Sequence, residues 1–389
     1  QVHKVTSLIG GLGRGFGEML QGNTPNIVPN RWFWAPTRVI AEIPEVSDSS
    51  IAEMPFFTFL YGDLHAHMIA MPLILFVVVF VFHEIIIAGN DKRRWTTQYA
   101  ALALGGAVVG MSKAVNTWDY PTLLILSVLG LGFAWWLKWE RINRRSILDV
   151  LFRVGGFVIF TALAVLPYDL WFATAFTQLQ RWQGGNTPVW AYLDIHGLFL
   201  FLIASMLVWE TAHWMRSTTV GALRGKATLL GSVLFFFAIV TIISWMFFFN
   251  GERVMVIALP MIAWIAVLFF RPNQSRAMQF ILVLAGLALS ITLGVEFFVL
   301  SGDNGRQNMV FKFYIQVWLF FSVAGGAAFA WVVSNSDWWR DSLRNVWYGF
   351  AGLLFFLALL YPIMATQGKA VYRMAPDIPF TIDGMEFMQ

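Results

Sequence analysis

Residues 63–88 read DLHAHMIAMPLILFVVVFVFHEIIIA. From Met68 onward the run is apolar almost throughout, and about 20 such residues in a helix span the hydrocarbon of a bilayer. Similar runs recur near 97–112, 120–137, 147–168, 194–214, 228–249, 254–270, 277–300, 313–333 and 346–366. Pro121, just inside the third run, suits a helix start. The pattern therefore predicts an all-α polytopic integral membrane protein with about ten transmembrane helices.

Composition agrees. Of 389 residues, 58% are hydrophobic and 12% charged, against about 25% charged in soluble domains. Mean hydropathy is +0.66, and the 37 Phe and 19 Trp suit lipid-facing surfaces and interfacial belts. With no cysteine, disulfides and thiolate metal sites are excluded. The net charge of +4 reflects basic loops and gives no reason to expect nucleic-acid binding.

Lys and Arg in short loops set orientation. The connectors NDKRRW, KWERINRRS, MRSTTVGALRGK, RPNQSR and SDWWRDSLRN carry 14 of the 26 basic residues. They alternate with longer, less basic connectors through all ten spans, so they are assigned to the cytoplasm. The expected organisation is an extracytoplasmic N-terminal segment (1–66) of irregular structure along the membrane surface, a transmembrane helical domain (67–366), and an extracytoplasmic tail (367–389). The first residue is Gln and the tail breaks off in polar sequence, which suggests a piece of a longer protein with a truncated soluble part. GLGRGFG in the N-terminal segment lacks the spacing of a dinucleotide fingerprint.

The cytoplasmic connectors read as ordinary charged loops. The distinctive polar stretches, GDLHAH, KAVNTWDYPT, RWQGGNTPVWAYLDIHG, NGERV and SGDNGRQNMVFKFY, all fall at the opposite face. That convergence places the candidate site there. On an extended segment Asp63, His65 and His67 share one face. They suit catalysis or a divalent metal ion, and Asp63 alone also suits a helix cap. Asn308 and Lys312, four apart, form a polar stripe entering the membrane with Gln316. Arg306 and Lys312 are candidates to hold an anionic lipid head group, and interfacial snorkelling is the plain alternative for Lys312. Lys113, Asn116 and Asp119 either contribute to the site or pair within their loop. Asp194 reads as a cap at a helix start, with His196 just inside. Arg253 sits in a short turn at the same face, and Tyr314 joins the substrate-binding set. Glu296 is an intramembrane acid, a functional hypothesis by default. Glu210 and His213 share a helix face and read as solvated.

EMPFFTFLYGDLHAHMIAMP, NTWDYPT, YLDIHGLFLF, NMVFKFYIQVW and TIDGMEFM together resemble the YYY-domain membrane proteins, in order and spacing, over most of the chain. That family is similar to the GT-C membrane glycosyltransferases, which include protein O-mannosyltransferases and oligosaccharyltransferases. The resemblance implies a GT-C-like fold in the plasma membrane and transfer of a sugar from a polyprenyl-phosphate carrier at the extracytoplasmic face. It matches Asp63 to the acid of the first large outer loop. Asp63 or its histidines would then be the general base, and Lys312, Arg306 and Arg253 would stabilise the departing phosphate. Two other readings stand beside it: a transporter or flippase of lipid-linked anions, and a structural or accessory subunit with partner membrane chains.

Overall fold

The computed structural model describes residues 21, 29–40, 50–62, 64–139, 141–173, 178–219, 221, 227–373 and 385. A short helix α1 (Pro29–Trp34), a 3-10 turn (Ala35–Thr37) and α2 (Pro55–Tyr61) precede the long helices. These are α3 (Ala66–Ile87), α4 (Trp95–Val115), α5 (Tyr120–Lys138) and α6 (Arg144–Asp169). After strand β1 (Leu179–Arg181) follow α7 (Val189–Ser217), α8 (Ala227–Phe249), α9 (Met255–Phe269) and α10 (Arg276–Phe297). Strand β2 (Phe298–Leu300), α11 (Arg306–Ser334) and α12 (Asp341–Arg373) complete the order.

The expected spans are α3–α12. Eight of them are long and apolar enough to cross a membrane, whereas α9 has only 15 residues. The apolar run of helix α4 is interrupted by Gln98, paired glycines, Ser112 and Lys113. The chain is thus an all-α integral membrane protein. Local signals fix several helix starts. Asn143 and Ser146 form a reciprocal capping box at α6, and the Ser275 hydroxyl accepts from the Met278 amide at α10. Three boundaries differ from expectation. Helix α7 starts at Val189 after Pro188, so Asp194 lies in its second turn and caps nothing. Helices α1 and α2 lie in the segment read as irregular, and α12 runs on to Arg373.

By contacts the chain divides into two compact units, Thr37–Ala358 and a smaller one of Gln1–Pro36 with Leu359–Gln389. In the smaller, the Lys369 ammonium lies 4.6 Å from the Phe33 ring centre. In the larger, α4 packs on α6, α3 on α4 and α5, α10 on α9 and α11, and α11 on α7. Helix α3 also meets α10 and α11, joining the two groups of helices. Lipid supplies no hydrophobic drive between helices, so small residues and close packing do this work. At Gly106 and Gly110 of α4, an added Cβ would come within 2.8 Å of the Phe157 carbonyl and 2.5 Å of the Thr161 carbonyl of α6. Helix α8 packs on α9 and exposes Phe235, Ile242, Met246 and Phe249, as a lipid-facing helix should.

The bundle end where α3 finishes is a closed ionic network. Buried Glu84 takes both Arg93 guanidinium nitrogens at 2.7 and 3.0 Å, and Arg93 also reaches Asp91 at 2.8 Å. The hydrogen bond from Arg93 holds the Asp91 carboxyl below its usual range. Arg153 adds to Glu84, Asp91 and Asp149, and Lys138 pairs with Asp149 at 2.8 Å. Glu210 is buried here and bonded to Arg271 at 2.7 Å, so it is not solvated. Its cover comes from the α9–α10 connector, which nothing local to Glu210 reveals. His213 is exposed and stacks on Trp209.

Candidate functional site

The opposite end is built from three connections. Between α2 and α3 the chain turns at Gly62, whose φ of 70° is the left-handed conformation that favours glycine. His65 is the N-cap of α3, with extended backbone, and makes no side-chain cap bond. Asp63 lies outside the described residues. His67 enters the bundle at 1% exposure, and its Nε2 lies 3.0 Å from Glu53 Oε1. The Thr58 hydroxyl donates to that same carboxylate oxygen. The His65 and His67 rings stack with centres 5.1 Å apart, and Phe311 of α11 meets His67 edge-on at 4.8 Å. Among the described residues no three ligand-type side chains form a metal cluster. Glu53 engages only Nε2 of His67 and leaves Nδ1 without a partner among the described residues.

The second connection is the tight turn from α4 to α5. Asn116 and Asp119 are both buried, and the Asn116 amide donates to Asp119 Oδ2 at 2.8 Å. Gln316 of α11 donates to the Trp118 carbonyl at 3.2 Å. Burial pushes the Asp119 carboxyl up to about 7, against the opposing pull of Asn116, Gln316 and Lys312. Lys113 points elsewhere and pairs with Asp169 at 2.6 Å, so the pair inside this loop is Asn116–Asp119.

The third connection leads into α11, whose two sides differ. On one side Arg306, 1% exposed, forms an ion pair with Glu296 and donates from Nε to the Val295 carbonyl at 3.0 Å. Glu296 also accepts from the Thr187 amide at 3.0 Å, and Asn186 reaches the Glu296 carbonyl. Strand β1 pairs antiparallel with β2 alongside. Glu296 and Arg306 thus fasten the segment after β1 to α10 and α11. Below them His196 is wholly buried, neither ring nitrogen has a partner among the described residues, and Tyr314 and Tyr192 pack on its ring at 4.9 and 5.2 Å.

On the other side Lys312 is half-buried in the field of Glu53, Asp119 and Asp303. Among the described residues no carboxylate lies within 4.0 Å of it, and its Nζ sits 4.5 Å from the Phe311 ring centre. Asn308 donates to Asp303 Oδ1 at 2.7 Å. Three buried atoms on this side of α11 have no hydrogen-bond partner among the described residues: His67 Nδ1, Gln316 Oε1 and Asp303 Oδ2. Buried polar atoms are rarely left so.

The structure therefore gathers His65, His67, Asn116, Asp119, Asn308 and Lys312. Arg306, Tyr314 and His196 lie on the other side of α11, and Arg253 sits in the α8–α9 turn beside a Glu252 that faces Arg181 at 3.7 Å. Gln316 lies on the expected stripe, whereas Glu53 and Asp303 are the partners that the site residues alone did not disclose. Glu53 had a faint signal, as the one charge in an apolar stretch with Pro55 starting a helix behind it.

Residues 4–321 match the family model described as an uncharacterized membrane protein family, DUF2298, and the chain belongs to that family. No curated protein and no solved structure matches the chain.

Proposed function

We propose that this protein is a membrane glycosyltransferase, moving a sugar from a polyprenyl-phosphate carrier to an acceptor hydroxyl at the extracytoplasmic face of the plasma membrane. One observation carries this reading. Among the described residues, a half-buried lysine with no carboxylate in ion-pair distance shares its side of α11 with three buried polar atoms that lack hydrogen-bond partners. A phosphate suits the first and sugar hydroxyls suit the second. The resemblance to YYY-domain and GT-C proteins supports the same chemistry.

In the proposed step the acceptor oxygen attacks the anomeric carbon. The carbon–oxygen bond to phosphate breaks, and its electron pair stays on the phosphate oxygen. Lys312 neutralises that oxygen as charge develops. The acceptor's proton passes to a general base. Asp63 is the base implied by the resemblance. His67 is the one supported by geometry: with Nε2–H donating to Glu53, its Nδ1 keeps the lone pair. Exposed apolar faces such as that of α8 suit the polyprenyl tail.

A second reading, an accessory subunit of a larger membrane complex, draws on a different observation. Glu53–His67, Asn116–Asp119, Lys113–Asp169 and Arg306–Glu296 already pair with one another. Mass spectrometry of lipids co-purifying with wild type, Asp63→Asn and Lys312→Ala separates the two. A polyprenyl phosphate or its sugar ester that is lost with Lys312→Ala, and kept or enriched with Asp63→Asn, is the expected result. The same bulk phospholipid in all three samples would favour the accessory subunit.

A further inference from the structure

The charge count around Lys312 goes a step further, resting on the sugar-phosphate reading. Three carboxylates, Glu53, Asp119 and Asp303, act on this one cation. Among the described residues, Arg306 and Lys113 are engaged elsewhere, by Glu296 and Asp169, and Arg253 lies in the α8–α9 turn. Glu53 and His67 form a pair of their own, and Asn308 holds Asp303. Asp119 is the most enclosed of the three carboxylates, 1% exposed, and faces Asn116 from its own turn and Gln316 and Lys312 from α11.

We infer that the site accepts a singly charged phosphodiester, a sugar joined through one phosphate, and discriminates against diphosphate-linked lipids, with Asp119 the specificity-determining residue. One negative charge on the ligand is met by Lys312. A second meets no further cation on this side of α11 among the described residues and faces the carboxylates instead. At an effective dielectric near 20 and a separation near 10 Å, one added like charge weakens binding by roughly tenfold. Asp119 sets the size of this effect because its carboxyl, pushed up to about 7, is neutral in mild acid and charged in mild base. The same asymmetry favours release of the product, a phosphate monoester that carries more than one charge.

The test uses two synthetic probes on the purified full chain in detergent: a short isoprenoid methyl phosphodiester and the same isoprenoid as its methyl diphosphate diester, whose one and two charges do not change between pH 6 and pH 8. Wild type at pH 8 is expected to bind the diester at least tenfold more tightly. In Asp119→Asn that ratio should shrink several-fold at the same pH. The wild-type ratio at pH 8 against pH 6 reads the same charge without any substitution, and should fall in acid. Equal or tighter binding of the diphosphate by wild type overturns the inference, as does an unchanged ratio in Asp119→Asn. Both results leave the sugar-phosphate reading in place. Binding of neither probe, or binding untouched by Lys312→Met, removes that reading and the inference with it.

Discussion

At the Arg93 end of the bundle, Glu84, Asp91 and Asp149 close on Arg93, Arg153 and Lys138. At the Lys312 end, a half-buried cation has no ion-pair partner among the described residues, and three buried polar atoms on the same side of α11 lack hydrogen-bond partners there. Both ends are polar and both are built from connectors between the same helices. One end satisfies its charges internally, as a fold requires. The other keeps groups in reserve, which is what a binding site needs and a purely structural end does not.

Breaking a closed pair tests the first half of this contrast. Arg93→Met leaves Glu84 charged and buried without its bidentate partner, and should cost about 3–5 kcal/mol of stability. Arg306→Met strands Glu296 in the same way and belongs to the same class, although it lies at the Lys312 end. Thermal unfolding in one detergent would show both losses. If Arg306→Met were harmless, Arg306 would join Lys312 as a ligand-ready cation and the contrast across α11 would fail.

A smaller effect sharpens the second half. Burial raises Asp119 from 3.8 to about 7 in the folded protein, so folding favours its protonated form. The penalty for ionising it in place is absent below about pH 4, grows as pH rises, and is complete above about 7. Asp119→Asn removes that penalty. Its stability should exceed that of wild type at pH 8 by at most about 4 kcal/mol, less what a weaker Asn116 hydrogen bond costs, and the gap should close toward pH 4. A gap independent of pH would mean that Asp119 does not titrate there. Smaller still, Lys113→Ala breaks an exposed pair with Asp169 and should change stability by less than about 1 kcal/mol.

Much of the fold was legible because a membrane span writes itself in consecutive residues. All ten spans coincide with helices, including α4 and α9, which fall below the length or apolarity of the rest. Pro121 marked the start of α5 correctly, because a proline suits the first turn where no amide partner is needed. The start of α7 was misplaced because Pro188 and Val189 carry no polar capping signal. Pairings across the chain were less legible. His67 meets Glu53 only because α2 and Gly62 fold the chain back, and Glu210 is buried by an arginine 61 residues away. The connectors at the Arg93 end read as solvated charge because composition shows sign and density but not partners. Lys312 and Asp119 were singled out as polar residues next to apolar runs, and the structure brings them to one place through α11.

The most direct test of the contrast is the unfolding of Lys312→Met beside Arg93→Met in the same detergent at pH 7. The account predicts that Lys312→Met stays within about 1 kcal/mol of wild type or exceeds it, since no internal ion pair is lost, while Arg93→Met falls steeply. Equal losses in the two variants would contradict it, because Lys312 would then be held by the fold and not kept free for a ligand.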